Sequence, residues 1–201
     1  MTEGAPWDSE ADVVVVGSGA AGLSAAVAAA TKGASVTVLE RAAHLGGTTA
    51  KSGGTVWIPN NGLMRSMGWD DPRSEALQYM VRLAFPHRYD PVDATLGIES
   101  ERYEMIATFY DRADEALEAL SSVGALQSVL DAETPSYHAD LVEEAAPYGR
   151  SLKPADKPAD QTHRTGGEVM IDRMAGVARG LGAEVLTDHR VASVVRDNAG
   201  Q

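Results

Sequence analysis

The chain has 201 residues, enough for one domain, with 44% hydrophobic and 23% charged residues, a balance that excludes bulk disorder. Its formal net charge of −12 makes phosphate backbones and anionic membrane surfaces poor partners, so no nucleic acid is expected. With no cysteine there are no disulfides, thiolate metal sites or cysteine nucleophiles, which suits a reducing compartment and a cytoplasmic location.

Residues 1–11 read as a flexible arm, polar and acidic where a secretory signal needs a basic start. Asp12 to Val16 is a β-branched run of the kind found in central parallel strands. The apolar stretch from Val13 to Ala30 resembles a membrane span in length. Gly17, Ser18, Gly19 and Gly22 interrupt it early, so strand–turn–helix is the reading and no transmembrane segment is expected. Leu23, Ala26, Val27 and Ala30 mark one helix face, and Gly33 stands where a helix C-terminal glycine belongs. Ser35 to Leu39 is a second strand with Glu40 at its end, which completes a βαβ unit within about 30 residues.

Residues 41–70, rich in Gly, Thr, Ser and Asn, read as an ordered functional loop joined to that unit. Asp71 as N-cap and Pro72 in the first turn predict a helix to about Ala84. A longer helix covers roughly 99–122. Its stripe of Tyr103, Ile106, Tyr110, Ala113, Leu117 and Leu120 reads as core packing. Residues 131–165, with Pro135, Pro147, Pro154 and Pro158, read as irregular. A last helix is expected from near Glu168, with Met170, Met174, Val177 and Leu181 inward and Gly182 ending it. Glu184 to Thr187 and Val191 to Arg196 read as two strands.

Gly17-Ser18-Gly19-Ala20-Ala21-Gly22 is a complete G-x-G-x-x-G. The first glycine permits a tight turn, the second lets backbone approach a pyrophosphate, and the third lets helix and strand pack closely. The motif follows a strand, opens a helix, and has Glu40 at the end of the second strand, where a carboxylate grips ribose hydroxyls. This fingerprint alone does not separate FAD from NAD. The next stretch, Arg41 to Asn61, holds the pairs Gly46-Gly47 and Gly53-Gly54, separated by small hydroxyl residues. Such a segment can lay N–H groups along a second phosphate and a flavin edge; the other reading is an ordinary mobile loop.

The fingerprint, Glu40-Arg41, Gly46-Gly47-Thr48-Thr49 and Ser52-Gly53-Gly54-Thr55-Val56-Trp57-Ile58-Pro59 resemble FAD-dependent 3-ketosteroid Δ1-dehydrogenases. They also resemble the wider fumarate reductase and succinate dehydrogenase flavoprotein superfamily, with the Trp-Ile-Pro ending favouring the ketosteroid branch. A weaker likeness extends through Gly166-Gly167 to the closing elements. The resemblance implies an α/β fold, a Rossmann-like FAD-binding domain with a mostly helical excursion over 62–165. Residues 12–201 are its N-terminal part, and the substrate cap belongs to a C-terminal half absent from a truncated chain.

In that superfamily Gly17, Ser18, Gly19, Ala20, Ala21 and Gly22 would hold the pyrophosphate, and Glu40 with Arg41 the adenosine side. Gly46, Gly47, Thr48, Thr49, Ser52, Gly53 and Gly54 would meet phosphate and isoalloxazine. Gly47 stands where covalently flavinylated members carry histidine, so FAD is expected to bind non-covalently. Pro135-Ser136-Tyr137 resembles a motif whose tyrosine faces the steroid and assists proton removal; Tyr137 is that candidate catalytic residue or a partly buried loop aromatic. Lys51 reads as a surface lysine, and His44, His87, His138, His163 and His189 show no metal spacing, so no metal is expected.

The implied function is dehydrogenation of a 3-ketosteroid-like ketone beside its carbonyl, with an apolar small-molecule substrate and an electron acceptor left open. The alternatives are a fumarate-reductase-type alkene reductase, which needs an arginine cluster, and an inactive FAD-binding fragment.

Overall fold

The structure is a computed structural model that describes residues 7–155 and 163–196. In chain order its elements are β1 (Val13–Val16), α1 (Ala20–Thr31), β2 (Val36–Leu39), α2 (Gly47–Ala50), β3 (Val56–Trp57) and α3 (Gly62–Ser66). There follow α4 (Arg73–Ala84), α5 (Ser100–Ser122), β4 (Ser128–Leu130), β5 (Ser151–Pro154), α6 (Gly166–Gly180) and β6 (Glu184–Leu186). They divide into two compact units, and Thr55–Ser122 with Gln127–Pro158 form the second.

The first unit is built on a parallel sheet of order β1-β2-β6, with Val13 opposite Val36 and Val38 opposite Val185. The helix face read from the sequence is the buried one: Leu23, Ala26, Val27 and Ala30 are all inside. α1 packs on α6, whose buried residues include Met170, Ile171, Met174, Ala175 and Ala178. Fully burying an aliphatic side chain of this kind contributes about 1.5–3 kcal/mol, so these two faces carry much of the unit's stability. Gly33 adopts φ +84° after α1, and the Ala34 amide donates to Ala29 O at 3.2 Å, which closes the helix in a Schellman turn. Gly182 ends α6 the same way, at φ +94° with Ala183 N on Ala178 O at 3.0 Å.

Several expectations change here. β1 is an edge strand of the described sheet, and Val14 and Val16 are 56% and 64% exposed. A β-branched run records the capacity to be buried on both faces; it does not supply the neighbour. Residues 191–196 form no strand. Asp188, at φ +58°, turns the chain out of the ladder directly after β6. His189 N then donates to Glu40 O at 2.8 Å and Asp188 N to Ala42 O at 3.1 Å, so this backbone follows the segment after β2. α6 starts two residues before Glu168, because Thr165 caps it in a capping box with that glutamate. Leu181, the C-cap of α6, is exposed rather than inward.

The second unit pairs α4 and α5 over a core of Ala76, Leu77, Val81, Leu96, Ile98, Ala107 and Tyr110. Tyr103 and Ile106 of the expected stripe pack against it. Beside them lies a small antiparallel sheet of order β3-β5-β4, with Val56 and Leu130 both opposite Leu152. β5 therefore lies within the stretch expected to be irregular. Pro154 is tolerated because it ends the strand, where a missing N–H costs least. Asp71 does not cap α4; the cap is Pro72, and the aspartate turns inward. None of the described helices is long and apolar enough to cross a membrane.

Candidate functional site

In the first unit the glycine motif forms a built turn. Gly17 adopts φ +92°, a conformation that favours glycine, and its amide donates to Leu39 O at 2.9 Å. A Cβ on Gly22 would lie 2.0 Å from Gly17 O, so only glycine lets α1 start this close to the turn. At Gly19 a Cβ would meet nothing nearer than Thr49 Oγ1 at 3.8 Å, which leaves space at the helix N-terminus. Gly19, the N-cap of α1, has no side chain to cap it, and the first turn carries no acidic residue. The Ala20 amide donates to Thr49 Oγ1 at 3.3 Å, and Ala21 beside it is exposed. A 12-residue helix with no negative charge at its N-terminus, and only the Ala20 amide taken by a side chain, suits an anion.

Ser18 and Glu40 stand behind this turn. Glu40 Oε2 accepts from Ser18 N at 3.0 Å and Ser18 Oγ at 2.6 Å; Oε1 accepts from Ala42 N at 2.9 Å. Ser18 Oγ in turn accepts from Gly46 N at 2.9 Å, which ties the second glycine segment to the first. The Ser18 hydroxyl holds the carboxyl of Glu40 below the usual range; burial opposes this, and the Ala42 and Ser18 amides and Arg41 reinforce it. A carboxylate has about four acceptor sites, so one on Oε1 is left for a ribose hydroxyl. A cleft of about 390 Å³ runs along Gly17, Ser18, Gly19, Glu40, Arg41 and Gly47 and is closed by His189, Arg190 and Val191. These last three lie far along the chain, and no local motif marks them.

The second glycine segment is positioned by α6. Gly46, at φ +98°, faces Ile171 so closely that a Cβ would sit 2.8 Å from Cγ1. Gly54 abuts Gly166, and Gly167 abuts Thr49 O, where a Cβ would lie at 1.9 Å. The Gly167 amide donates to Ser52 O at 3.0 Å, and Thr165 Oγ1 to Ala50 O at 2.6 Å. Gly46 and Gly54 are thus required by packing. Gly47, Thr48, Lys51, Ser52 and Gly53 are the exposed residues of the stretch, and Thr49 reaches the α1 terminus.

The second unit holds an apolar cavity of about 750 Å³, lined by Trp57, Tyr79, Met80 and Leu83 and by Thr134–His138. That volume is ordinary for a small-molecule pocket. Among its lining residues there is no Lys or Arg, and Asp131 is the one carboxylate. Lys153, 2.9 Å away, holds that carboxyl below its usual range. Tyr137 stands on the cavity loop with its side chain 96% exposed, in place of the partly buried aromatic that was the other reading.

Behind this cavity lies a buried polar network that the sequence reading missed. Arg150, 2% exposed, gives two hydrogen bonds to Asp71, at 2.7 and 2.9 Å, and one to Glu144 at 2.7 Å. Burial draws the guanidinium pKa down, but Asp71 and Glu144 outweigh it and leave it raised. The guanidinium lies 5.4 Å from the Trp57 ring centroid and 4.9 Å from that of Tyr79. Trp57 stacks between Tyr79 and Phe109, each at 6.3 Å. Asn61 caps α3 through Met64 N and also donates to Gly149 O at 2.9 Å.

The FAD binding domain family matches residues 12–200. The chain belongs to that family. A 3-oxosteroid 1-dehydrogenase of Mycolicibacterium smegmatis is 40% identical over 151 residues, 75% of this chain and 24% of the relative. A 4-oxocyclohex-2-ene-1-carboxylate 5-dehydrogenase of Sinomonas cyclohexanicum is 37% identical over 148 residues, 74% of this chain and 22% of the relative. Among solved structures, the 3-ketosteroid Δ4-(5α)-dehydrogenase of Rhodococcus jostii RHA1, in complex with 4-androstene-3,17-dione, aligns with a TM-score of 0.70 at 26% identity. It covers 98% of this chain and 41% of that one. The chain thus spans about a quarter of the length of the curated relatives it matches. Its cofactor is FAD, and the α1 terminus without acidic residues, the open space at Gly19 and the remaining acceptor site of Glu40 fit its pyrophosphate and ribose.

Proposed function

We propose that the full-length protein is an FAD-dependent oxidoreductase that dehydrogenates a neutral 3-ketosteroid-like ketone at the carbons beside its carbonyl. The observation that carries this reading is the apolar cavity of about 750 Å³ whose one carboxylate is Asp131 and whose lining has no Lys or Arg. Bound FAD supplies the hydride acceptor. The glycine turn, the α1 N-terminus and Glu40 bind its phosphate and ribose end, without a covalent bond, since Gly47 offers no histidine. The apolar walls receive the hydrocarbon body of the ketone. The Tyr137 hydroxyl assists removal of the proton from the carbon next to the carbonyl.

The alternative, a fumarate-type alkene reductase, needs an arginine cluster to grip a dicarboxylate; Arg150 is committed to Asp71 and Glu144 and does not supply it. The absence of cysteine supports a cytoplasmic location.

The test is turnover of a 3-ketosteroid by the full-length protein and its Tyr137→Phe variant, with an added artificial electron acceptor to reoxidise the flavin and product mass as readout. The protein should yield a product lighter by two hydrogens. The variant should be slower by on the order of 10²-fold or more, the usual contribution of a positioned acid–base group, at unchanged flavin content. Failure to convert any 3-ketosteroid overturns the substrate reading, and a wild-type rate in the variant removes Tyr137 from the chemistry.

A further inference from the structure

Tyr137 has almost no packing of its own to fix it, since its side chain is 96% exposed. Its neighbour is held twice. The Ser136 amide donates to Pro147 O at 2.7 Å, and the Ser136 hydroxyl shares a hydrogen bond with the Tyr79 hydroxyl. Tyr79 is a rigid post for that bond. It is buried on α4, stacked on Trp57 at 6.3 Å, and flanked by the Arg150 guanidinium at 4.9 Å. Arg150 is in turn locked between the carboxylates of Asp71 and Glu144. A loop side chain is placed accurately only when the groups beside it have locked rotamers and satisfied hydrogen bonds.

We infer that Tyr79 is a positioning residue, whose hydroxyl fixes Ser136 and thereby holds Tyr137 at the edge of the cavity. This rests on the reading of Tyr137 given above. It assigns the phenol of Tyr79 a role beyond satisfying its own buried hydroxyl, which is the minimum a buried tyrosine requires. Burial raises the Tyr79 pKa even against the hydrogen bond from Ser136, so the hydroxyl stays protonated and keeps this bond at neutral pH. Glu144 adds to the same upward shift, by its charge and by a hydrogen bond with the phenol.

The experiment uses the full-length protein with bound FAD, as wild type, Tyr79→Phe, Ser136→Ala, the double variant of these two, and Tyr137→Phe. Hydrogen exchange of the amides in 134–141 reports the loop without reference to chemistry. Steady-state turnover on a 3-ketosteroid with an added artificial electron acceptor reports the reaction. Each single change at Tyr79 or Ser136 should speed exchange of the loop about tenfold, the size of one hydrogen bond's net contribution. Each should lower kcat by a similar factor with KM little changed, and the double variant should be no worse than the poorer single. Exchange at the wild-type rate in both single variants overturns the inference, whatever Tyr137 does. Losses in kcat that multiply in the double variant also overturn it, because the two hydroxyls would then act separately. A wild-type kcat in Tyr137→Phe overturns the reading of Tyr137 instead, while loop exchange in the other variants still decides the anchoring.

Discussion

Ser18 and Glu40, 22 residues apart, are joined twice: the amide of the serine at 3.0 Å and its hydroxyl at 2.6 Å both donate to Glu40 Oε2. This pair locks the first glycine turn to the end of β2. It gives the carboxylate a structural load besides any contact with a ribose.

That load has a pH signature. The Glu40 carboxyl is held below its ordinary range, chiefly by the Ser18 hydroxyl. A depressed folded-state pKa gives stability that is fully present above the unfolded value, about 4.3, and lost as pH falls through the folded value. Glu40→Gln should therefore melt below wild type at neutral pH, and the gap should close on acidification below about pH 4. Thermal midpoints measured along that range check it; a gap independent of pH contradicts the assignment.

The two glycines of the turn should fail differently. Gly22→Ala places its methyl 2.0 Å from Gly17 O, so the backbone must shift, at a cost of about 1–3 kcal/mol. Gly19 has an extended φ of −66° and open space, so Gly19→Val should keep the fold and lose flavin. Helical circular dichroism and flavin absorbance of the two purified variants separate the effects. Full flavin content in Gly19→Val would remove the turn from the site.

Arg150 should be a stability residue. Removing one partner of a buried pair leaves a buried charge and costs about 3–5 kcal/mol, so Arg150→Met should sharply lower the urea midpoint. Arg150→Lys should not restore it, because a lysine cannot give the paired bonds that Asp71 receives at 2.7 and 2.9 Å. A lysine variant as stable as wild type contradicts this.

Asp131 should set substrate charge. Lys153 holds its carboxyl below the usual range, so it is ionised at neutral pH. Asp131→Asn should raise kcat/KM for an oxocyclohexanecarboxylate relative to a neutral 3-ketosteroid by about fivefold, consistent with a screened charge contact of about 1 kcal/mol. An unchanged ratio would remove Asp131 from selectivity.

What was legible in the sequence is what is local. The period of Leu23, Ala26, Val27 and Ala30 gave the buried face of α1, and Gly33 gave its end, because both depend on neighbours within a turn. The Thr165-x-x-Glu168 capping box was equally local and would have placed the start of α6. Asp71 misled: its spacing before Pro72 suits a cap, yet its partner is Arg150, 79 residues away, and no nearby residue announces that pair. β4 and β5 are short and join only across the chain, so proline content outweighed their weak alternation. The cleft-lining residues His189 to Val191 and the Tyr79–Ser136 contact depend on the same long-range placement.

The most direct test of FAD-dependent ketone dehydrogenation is anaerobic mixing of the full-length, flavin-loaded protein with a neutral 3-ketosteroid, followed at the flavin absorbance bands. The oxidised flavin bands should bleach as the steroid gains its double bond, and acid precipitation should leave all the flavin in the supernatant. Bands that persist with every 3-ketosteroid offered, or a purified protein that carries no flavin, would contradict the account.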